Sequence, residues 1–398
     1  MAGPPMHAGG RAVSGVPNER CFSYRTTNDL RPKTGKCCFH HTTNFGGSGT
    51  SHRPSEVRIE GERGAMARTK PYKWIAREIE KLDPKTDYET IWKLSSIYYI
   101  NDFLADYIYA ITFPNFIVPQ RGAQAVLREG TGKVYTDPNR RMDDTTRHML
   151  VWWENGPSDI KTQRSVQSLN NLHKYYARKY PGNFGYNEDY IYTLCYEAAL
   201  MHRLRLKLGM NGISEKQQQA AWEFWSRMAK LFVNADSGAE LHGFPEDFAG
   251  INAFMDEYEG KNWPDNPLGA DVTERMLGPF AERYFPRLLH PLARTLVLAM
   301  YNDTVLRVHN MPRPRPITRK LVRLGVRFGL TLSEKVLPDP QESLPEIHRR
   351  RKAVARSLDH QAAVSPLGGG GQCPHPAGQA VVSEPIEVVE ARKANATG

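Results

Sequence analysis

Helical periodicity recurs along the chain from about residue 71 to residue 340, and this feature restricts the fold more than any other. Apolar residues in successive segments recur three and four positions apart, which places them on one face of an α-helix. Clear alternation of apolar and polar residues, the pattern of a half-buried strand, is absent from the same stretch. We therefore predict an all-α fold, with a single multi-helix domain over residues 71–340.

Caps and prolines predict where the helices begin and end. One helix is expected from about Tyr88 to Ile111, with Pro114 stopping it. A capping box at Ser214 and Gln217 begins another helix, which runs to about Val233. The other predicted helices cover approximately residues 140–154, 158–180, 187–209, 245–259, 271–284 and 288–309.

The two ends of the chain differ from this helical region in composition. Residues 1–70 are rich in Gly, Ser, Pro, Thr and Arg and lack periodicity, so we expect a disordered N-terminal extension. Residues 341–398 are expected to be a largely disordered tail. No apolar run reaches the roughly 18 residues of a transmembrane helix. We expect a cytoplasmic protein or one that binds peripherally to an intracellular membrane.

The formal net charge of +10 indicates anionic partners, and much of the excess is local. Six Lys and Arg residues and no acid lie between Arg313 and Arg327, interleaved with apolar residues. A basic amphipathic helix of this kind, here residues 313–330, is typical of a protein that binds peripherally to a membrane surface. The alternative is a helix packed on the domain with its cations in water. Because no helix-turn-helix, zinc-finger or RNA-binding signature occurs, we expect no nucleic-acid partner.

His173 lies in the stretch NNLHKYY, within the helix predicted over 158–180. It follows Val166 by seven residues and Leu169 by four, so it shares their buried face. A buried histidine needs a polar partner or a metal. Periodicity alone leaves two interpretations open: a core histidine bonded to a carbonyl, and a metal ligand.

Three polar residues, Arg141, Asp144 and Thr145, stand at i, i+3 and i+4 in the helix predicted over 140–154. They share one helical face beside the apolar run MLVWW. One interpretation is a polar insert that faces a pocket. The alternative is an Arg141–Asp144 surface pair near the start of a helix, where an acidic residue is favourable.

The order of these motifs resembles the MpaB-type oxygenases, which share a catalytic domain with the bacterial rubber oxygenases (latex clearing proteins). The series comprises R-x-x-D-T (141–145), N-x-L-H-x-x-Y (170–176), D-Y-I-Y-T-L (189–194), a Trp-bearing helix (222–225) and L-L-H-P…Y-N-D (288–303). The resemblance covers about residues 88–340. It implies an all-α domain with one non-covalent haem b, which cleaves carbon–carbon double bonds of isoprenoid or other lipophilic chains with dioxygen.

The same resemblance implies roles for four residues. His173 matches the proximal haem ligand and would bind the iron. Arg141 and Thr145 match residues beside the haem, on its distal side or at its propionates. Asp144 replaces a lysine of the rubber oxygenases, and with Thr145 it is a candidate catalytic residue. The membrane anchor of fungal MpaB proteins has no counterpart here, which leaves a location at the endoplasmic reticulum open.

Other chemistries and other ligands remain alternatives. A carboxylate di-iron oxidase commonly uses Glu-x-x-His, and none of the 13 histidines has Glu three residues before it. A helical membrane-associated binding protein that has lost activity is the second alternative. His148 is the best substitute ligand, His202 a candidate partner behind the ligand, and Cys195 a conceivable thiolate ligand. The five cysteines show no C-x-x-C spacing, which argues against a structural zinc site.

Overall fold

Helices account for nearly all regular structure in residues 70–364, the part of the chain that this computed structural model describes. The all-α prediction is therefore confirmed. The only pairing of extended backbone within these residues is one isolated bridge between Val233 and Glu240. The helices are α1 (Trp74–Lys81), α2 (Tyr88–Ser96), α3 (Asp102–Phe116), α4 (Gln120–Leu127), α5 (Lys133–Thr136), α6 (Pro138–Asn155), α7 (Ile160–Lys179), α8 (Asn187–Lys207), α9 (Glu215–Ala229), α10 (Phe248–Gly260), α11 (Pro267–Tyr284), α12 (His290–Leu298), α13 (Asp303–Val308), α14 (Pro316–Lys335) and α15 (Leu344–Val364).

Three hydrophobic clusters hold these helices together. The largest surrounds Trp92, Phe224 and Trp225, where α2, α8, α9 and α10 meet. A second cluster surrounds Phe280 and Tyr301 on α3, α11 and the segments that follow it. A third, smaller cluster joins α3, α6 and α11. None of the helices within residues 70–364 is both long and apolar enough to cross a bilayer.

The single helix predicted over residues 88–111 is wrong, because the chain breaks into α2 and α3. Asn101 caps the second helix: its backbone is extended, and its side chain accepts a hydrogen bond from the Leu104 N–H. An asparagine in this position satisfies one of the N–H groups that the first turn of a helix leaves without a partner. Asn101 thus starts a new helix inside the apolar pattern that the two helices share.

Pro114 does not stop the helix as predicted but lies inside the last turn of α3. A proline lacks the N–H that would bond the carbonyl four residues earlier, here that of Ala110. The buried hydroxyl of Tyr301 donates to the Ala110 oxygen over 3.1 Å and replaces the missing donor. The proline is tolerated because a side chain from a distant segment completes the helix.

The helix predicted over residues 288–309 is also divided, into α12 and α13. Asn302 is the N-cap of α13, and its side-chain oxygen accepts from the Val305 N–H. Asp303 accepts a hydrogen bond from Arg319 at 3.1 Å. Together with Tyr301, these residues form the Y-N-D motif, and each of its three side chains has a structural partner in the fold.

The helical structure continues past residue 340, into the segment that was expected to be a tail. Leu344 begins α15, is buried, and donates its N–H to the Ile97 carbonyl. Asp339 just before it is buried and accepts hydrogen bonds from the Ile75 N–H and from Lys73 and Tyr99. Residues 1–69 and 365–398, which include most of the predicted N-terminal extension, lie outside the described residues.

Candidate functional site

A cavity of about 540 Å³ lies among α3, α4, α6, α7 and α8. Its wall is predominantly apolar and aromatic, with a small number of charged and polar side chains. A cavity of this size and lining is typical of sites for small molecules and cofactors. Among the residues on its wall are Arg141, Asp144, Thr145 and His173, all four of the predicted site residues.

His173 enters the cavity wall from the middle of α7. Its ring lies 5.3 Å from that of Phe184 and 6.3 Å from that of Tyr190, measured between ring centroids. The enclosed Nδ1 has no hydrogen-bond partner among the described residues, so the core histidine bonded to a carbonyl is not found at this nitrogen. Burial, together with the nearby charge of Arg128 and Arg141, lowers the pKa of His173 to about 4.

Arg141 and Thr145 are bonded to each other one turn apart on α6. The Arg141 guanidinium donates to Thr145 Oγ1, and Thr145 donates its hydroxyl proton to the Arg141 carbonyl over 3.1 Å. The guanidinium also lies 5.3 Å from the centroid of the Phe113 ring. No carboxylate of the described residues forms an ion pair with Arg141. A partly buried cation at the wall of an apolar cavity is suited to holding the carboxylate of a ligand.

Asp144 is paired with residues other than Arg141. Its Oδ2 accepts from Lys133 Nζ at 2.8 Å, and its Oδ1 lies 3.3 Å from Arg147 Nη1. The alternative of an Arg141–Asp144 pair is therefore not what the structure shows. With two cations beside it, Asp144 is placed to fix Lys133 at the cavity wall.

The substitute ligands differ in where they lie. His148 lines the same cavity, and its Nδ1 is 2.7 Å from Ser165 Oγ. Neither His202 nor Cys195 lines it: the His202 ring packs against Phe248, and burial raises the pKa of the Cys195 thiol to about 12. A protonated, enclosed thiol is a poor metal ligand, because the thiolate is the form that binds.

Glu197 is a cavity residue that the sequence interpretation missed. Its carboxyl group has no hydrogen-bond or ion-pair partner among the described residues, and burial raises its pKa to about 7. It follows Tyr190 by seven residues on the same face of α8, which corresponds to about 10 Å along the helix axis. Since Tyr190 contacts His173, Glu197 lies toward a different end of the cavity. The signal was present in the sequence, as one acid on the face that carries Tyr190, Thr193 and Leu194.

A turn with unusual backbone geometry borders the same cavity. Arg128 and Glu129 both adopt left-handed conformations, with φ values of 50° and 54°. Non-glycine residues adopt this region rarely and at a cost, which surrounding contacts must offset. Arg128 has such contacts: its guanidinium lies 3.5 Å from the Tyr176 ring centroid, and its carbonyl accepts from Tyr180. The turn brings Arg128 to the cavity wall, which Arg141 and Arg147 also line.

His173 and the arginines at the cavity wall are side chains of the kind that would hold a haem. Within residues 70–364, no three His, Cys, Asp or Glu side chains cluster closely enough to hold a metal ion. A haem would need one neutral imidazole from the protein, and His173 offers one at the cavity wall. The enclosed Nδ1 of this ring has no acceptor among the described residues. Arg128 and Arg141 supply positive charge at the same wall, which would suit the carboxylates of such a cofactor.

Comparison with known proteins adds no further constraint. No known family profile matches the chain, and a search of curated proteins finds no significant match.

Proposed function

We propose that the protein is a haem b-dependent oxygenase that uses dioxygen to cleave a carbon–carbon double bond in a lipophilic, isoprenoid-like substrate. The observation that carries the proposal is the His173 side chain at the wall of a largely apolar cavity of about 540 Å³, which Arg128 and Arg141 also line. The ordered motifs that resemble MpaB-type oxygenases support the same function. Three of their polar residues, Arg141, Thr145 and His173, line this cavity.

In this proposal, polar residues of the cavity hold the cofactor and its apolar wall holds the substrate. Bound haem supplies the binding and activation of dioxygen, while the protein sets the axial ligand, the polarity and the access. His173 would hold the iron, and its low pKa keeps the imidazole neutral at neutral pH, which is the form that binds a metal. Arg141, oriented by Thr145, and Arg128 would bind the carboxylates of the cofactor. The apolar wall excludes water and accommodates the hydrocarbon chain.

Thr145 acts in this proposal mainly by positioning Arg141. Its hydroxyl proton is already donated to the Arg141 carbonyl, and its oxygen accepts from the guanidinium. A direct role of the hydroxyl proton in the reaction would require it to leave this bond. Asp144 likewise acts through Lys133, which it holds at the wall.

Glu197 gives the cavity a polar group about 10 Å along α8 from the His173 end. A carboxyl group with a pKa near neutrality both donates and accepts hydrogen bonds, which matches a hydroxyl group on the substrate. An ammonium group would add the cost of burying a second charge. We therefore expect a long-chain alcohol to bind more tightly than the alkane of equal length, and Glu197→Leu to abolish this difference while Glu197→Gln preserves part of it.

A second candidate function is non-catalytic binding of a lipophilic ligand in the same cavity. One observation favours it: a histidine that ligates a metal almost always donates its other ring N–H to an acceptor, and Nδ1 of His173 has none among the described residues. A binding protein without haem needs no such acceptor. The mainly apolar wall suits this function equally well.

An absorption spectrum of the full chain separates the two functions. We expect protein produced with ample haem supply to show a Soret band and about one haem per chain. His173→Ala is expected to remove it. His202→Ala is the matched control, since this α8 histidine also has an unpartnered Nδ1 but does not line the cavity. A colourless wild-type protein that still binds a long-chain alcohol would leave lipid binding as the function. A Soret band that survives His173→Ala but is lost in His148→Ala would assign the ligand to His148.

A further inference from the structure

Helix α14 carries a stripe of apolar side chains that face away from the domain. Ile317, Leu321, Leu324 and Phe328 are spaced four, three and four residues apart, which places them on one face of the helix. They are 62, 61, 57 and 67 % exposed. The stripe is about 16 Å long, from the rise of a helix over 11 residues. Contiguous exposed apolar surface of this kind marks an interaction site.

The opposite face of α14 is fixed to the domain. Val322, Val326 and Leu330 pack against the hydrophobic cluster around Phe280 and Tyr301. Arg205 on α8 forms an ion pair with Glu334 near the end of α14. The stripe is therefore exposed because α14 packs on the domain through Val322, Val326 and Leu330 instead.

A cationic groove runs beside the stripe, between α14 and the end of α8. It has a volume of about 390 Å³ and is lined by Leu208, Pro316, Arg319, Lys320, Arg323, Leu324 and Arg327. Four of these seven residues are cationic and none is acidic. Lys320, Arg323 and Arg327 stand at i, i+3 and i+7, along one flank of the stripe.

The cations of this groove have few hydrogen-bond or ion-pair partners among the described residues. Arg319 is bonded to Asp303 at 3.1 Å, but Arg323 has no hydrogen-bond or ion-pair partner among the described residues, and its Nε is enclosed. Burial lowers the pKa of Arg323, and the adjacent charge of Arg319 lowers it further. Lys207 adds to the positive charge: its pKa is lowered to about 8, first by burial and then by Arg323. An anion in the groove would relieve this repulsion.

We propose that α14 is a membrane-docking helix whose groove binds the phosphate of an anionic phospholipid while the apolar stripe enters the bilayer interface. The argument for a lipid is that phosphate-binding cations and an exposed apolar stripe lie side by side on one helix. A free phosphate would use only the groove, and an apolar protein partner would use only the stripe. A helix with both features lies in the plane of an anionic bilayer surface. The proposal stands whether or not the cavity holds haem.

The test is cosedimentation of the full chain with vesicles of phosphatidylcholine alone and with vesicles that contain phosphatidylserine. We expect binding to the anionic vesicles only, with a decrease on adding salt. Arg323→Gln with Arg327→Gln should weaken the binding by about 30-fold, from the usual contribution of two cations near a charged surface. Leu321→Ser with Phe328→Ser should weaken it as well, because the interfacial apolar contact is removed.

The matched control is Arg178→Gln with Lys230→Gln, which removes the same charge from exposed positions on α7 and after α9. This control should bind like the wild type, and circular dichroism should show that all variants fold. Equal loss in the control would mean that net charge alone drives binding and would overturn the proposal. Binding of inorganic phosphate with no sedimentation on anionic vesicles would also overturn it, in favour of a soluble anion site. Equal binding to both vesicle types would leave no role for the groove.

Discussion

Lys133 Nζ lies 2.8 Å from Oδ2 of Asp144, and this pair joins the short helix α5 to α6 at the wall of the cavity. Both side chains are largely shielded from solvent, with 28 and 19 % of their surface exposed. Where the rubber oxygenases that the chain resembles have a lysine, this chain has Asp144. Asp144 pairs with Lys133, a lysine from another helix, at the cavity wall.

We expect this pair to contribute about 1 kcal/mol to stability, near the upper limit for exposed pairs because solvent screening is reduced. A double-mutant cycle with Lys133→Met and Asp144→Asn measures the coupling through urea unfolding. The exposed pair of Arg350 and Glu342 is the control and should give a coupling close to zero. Asp144→Asn should leave haem retention nearly unchanged. Loss of haem in this variant would place Asp144 in direct contact with the cofactor.

Substitution of Arg141 or Thr145 is expected to reduce haem retention less than substitution of His173. His173→Ala removes the proposed bond to iron, Arg141→Ala removes one of two cations near the haem carboxylates, and Thr145→Val removes only the acceptor that orients Arg141. Haem occupancy, measured from the Soret band per chain, should therefore rise in that order. Thr145→Ser keeps the hydroxyl and is the control. If Thr145→Val retains haem fully but loses turnover, while Arg141→Ala turns over normally, the hydroxyl acts on the reaction directly.

Two cavity residues should change the stability of the haem-free protein with pH in opposite directions. The pKa of His173 falls from 6.5 to about 4 on folding, so its contribution is present above pH 6.5 and is lost as the pH falls toward 4. The pKa of Glu197 rises from 4.5 to about 7, so its contribution is present below pH 4.5 and is lost as the pH rises through 7. Between about pH 4.5 and 6.5 the two effects offset each other.

Single variants separate these two contributions. In Glu197→Gln, the free energy of unfolding should rise more steeply with pH between 4.5 and 7 than in the wild type. In His173→Phe, it should fall over the same range. Urea unfolding at half-unit pH steps measures both slopes. An unchanged slope in Glu197→Gln would show that the pKa of this carboxyl group does not change on folding.

Tyr301→Phe should destabilise the protein by about 1–3 kcal/mol, because the buried Ala110 carbonyl opposite Pro114 would lose its donor. Tyr72→Phe is the control, since the Tyr72 hydroxyl also donates to carbonyls but is exposed to water. The two midpoints of urea unfolding give the comparison. A loss equal to that of the control would mean that water or another donor replaces the Tyr301 hydroxyl.

Local patterns predicted the helices whose ends are set by their own residues. The capping box at Ser214 and Gln217 was predicted from sequence and is confirmed. The interpretation of Pro114 as a stop was wrong because its outcome depends on Tyr301, 187 residues away along the chain, which local rules do not include. The break at Asn101 was missed because the apolar pattern continues across it.

The candidate site was likewise predicted only in part. Arg141, Asp144, Thr145 and His173 were singled out because helical spacing and the order of motifs placed them together, and all four line one cavity. Lys133, Arg128 and Glu197 were missed. Lys133 begins a helix of only four residues and Arg128 lies in a turn, so neither belongs to a periodic pattern. Glu197 shares a helical face with Tyr190, Thr193 and Leu194, but the sequence does not show that this face lines a cavity.

The buried carboxylate of Asp339 also sets an order of events during synthesis. The N–H of Ile75 is its partner, and 264 residues separate the two. At about 5–20 residues per second, a ribosome needs roughly 13–50 seconds to make that stretch. Helix α1 therefore leaves the ribosome long before Asp339 has been made. The hydrogen bond between them forms only after nearly the whole domain has been translated. A chaperone that binds early in translation would find the N–H of Ile75 without this carboxylate partner.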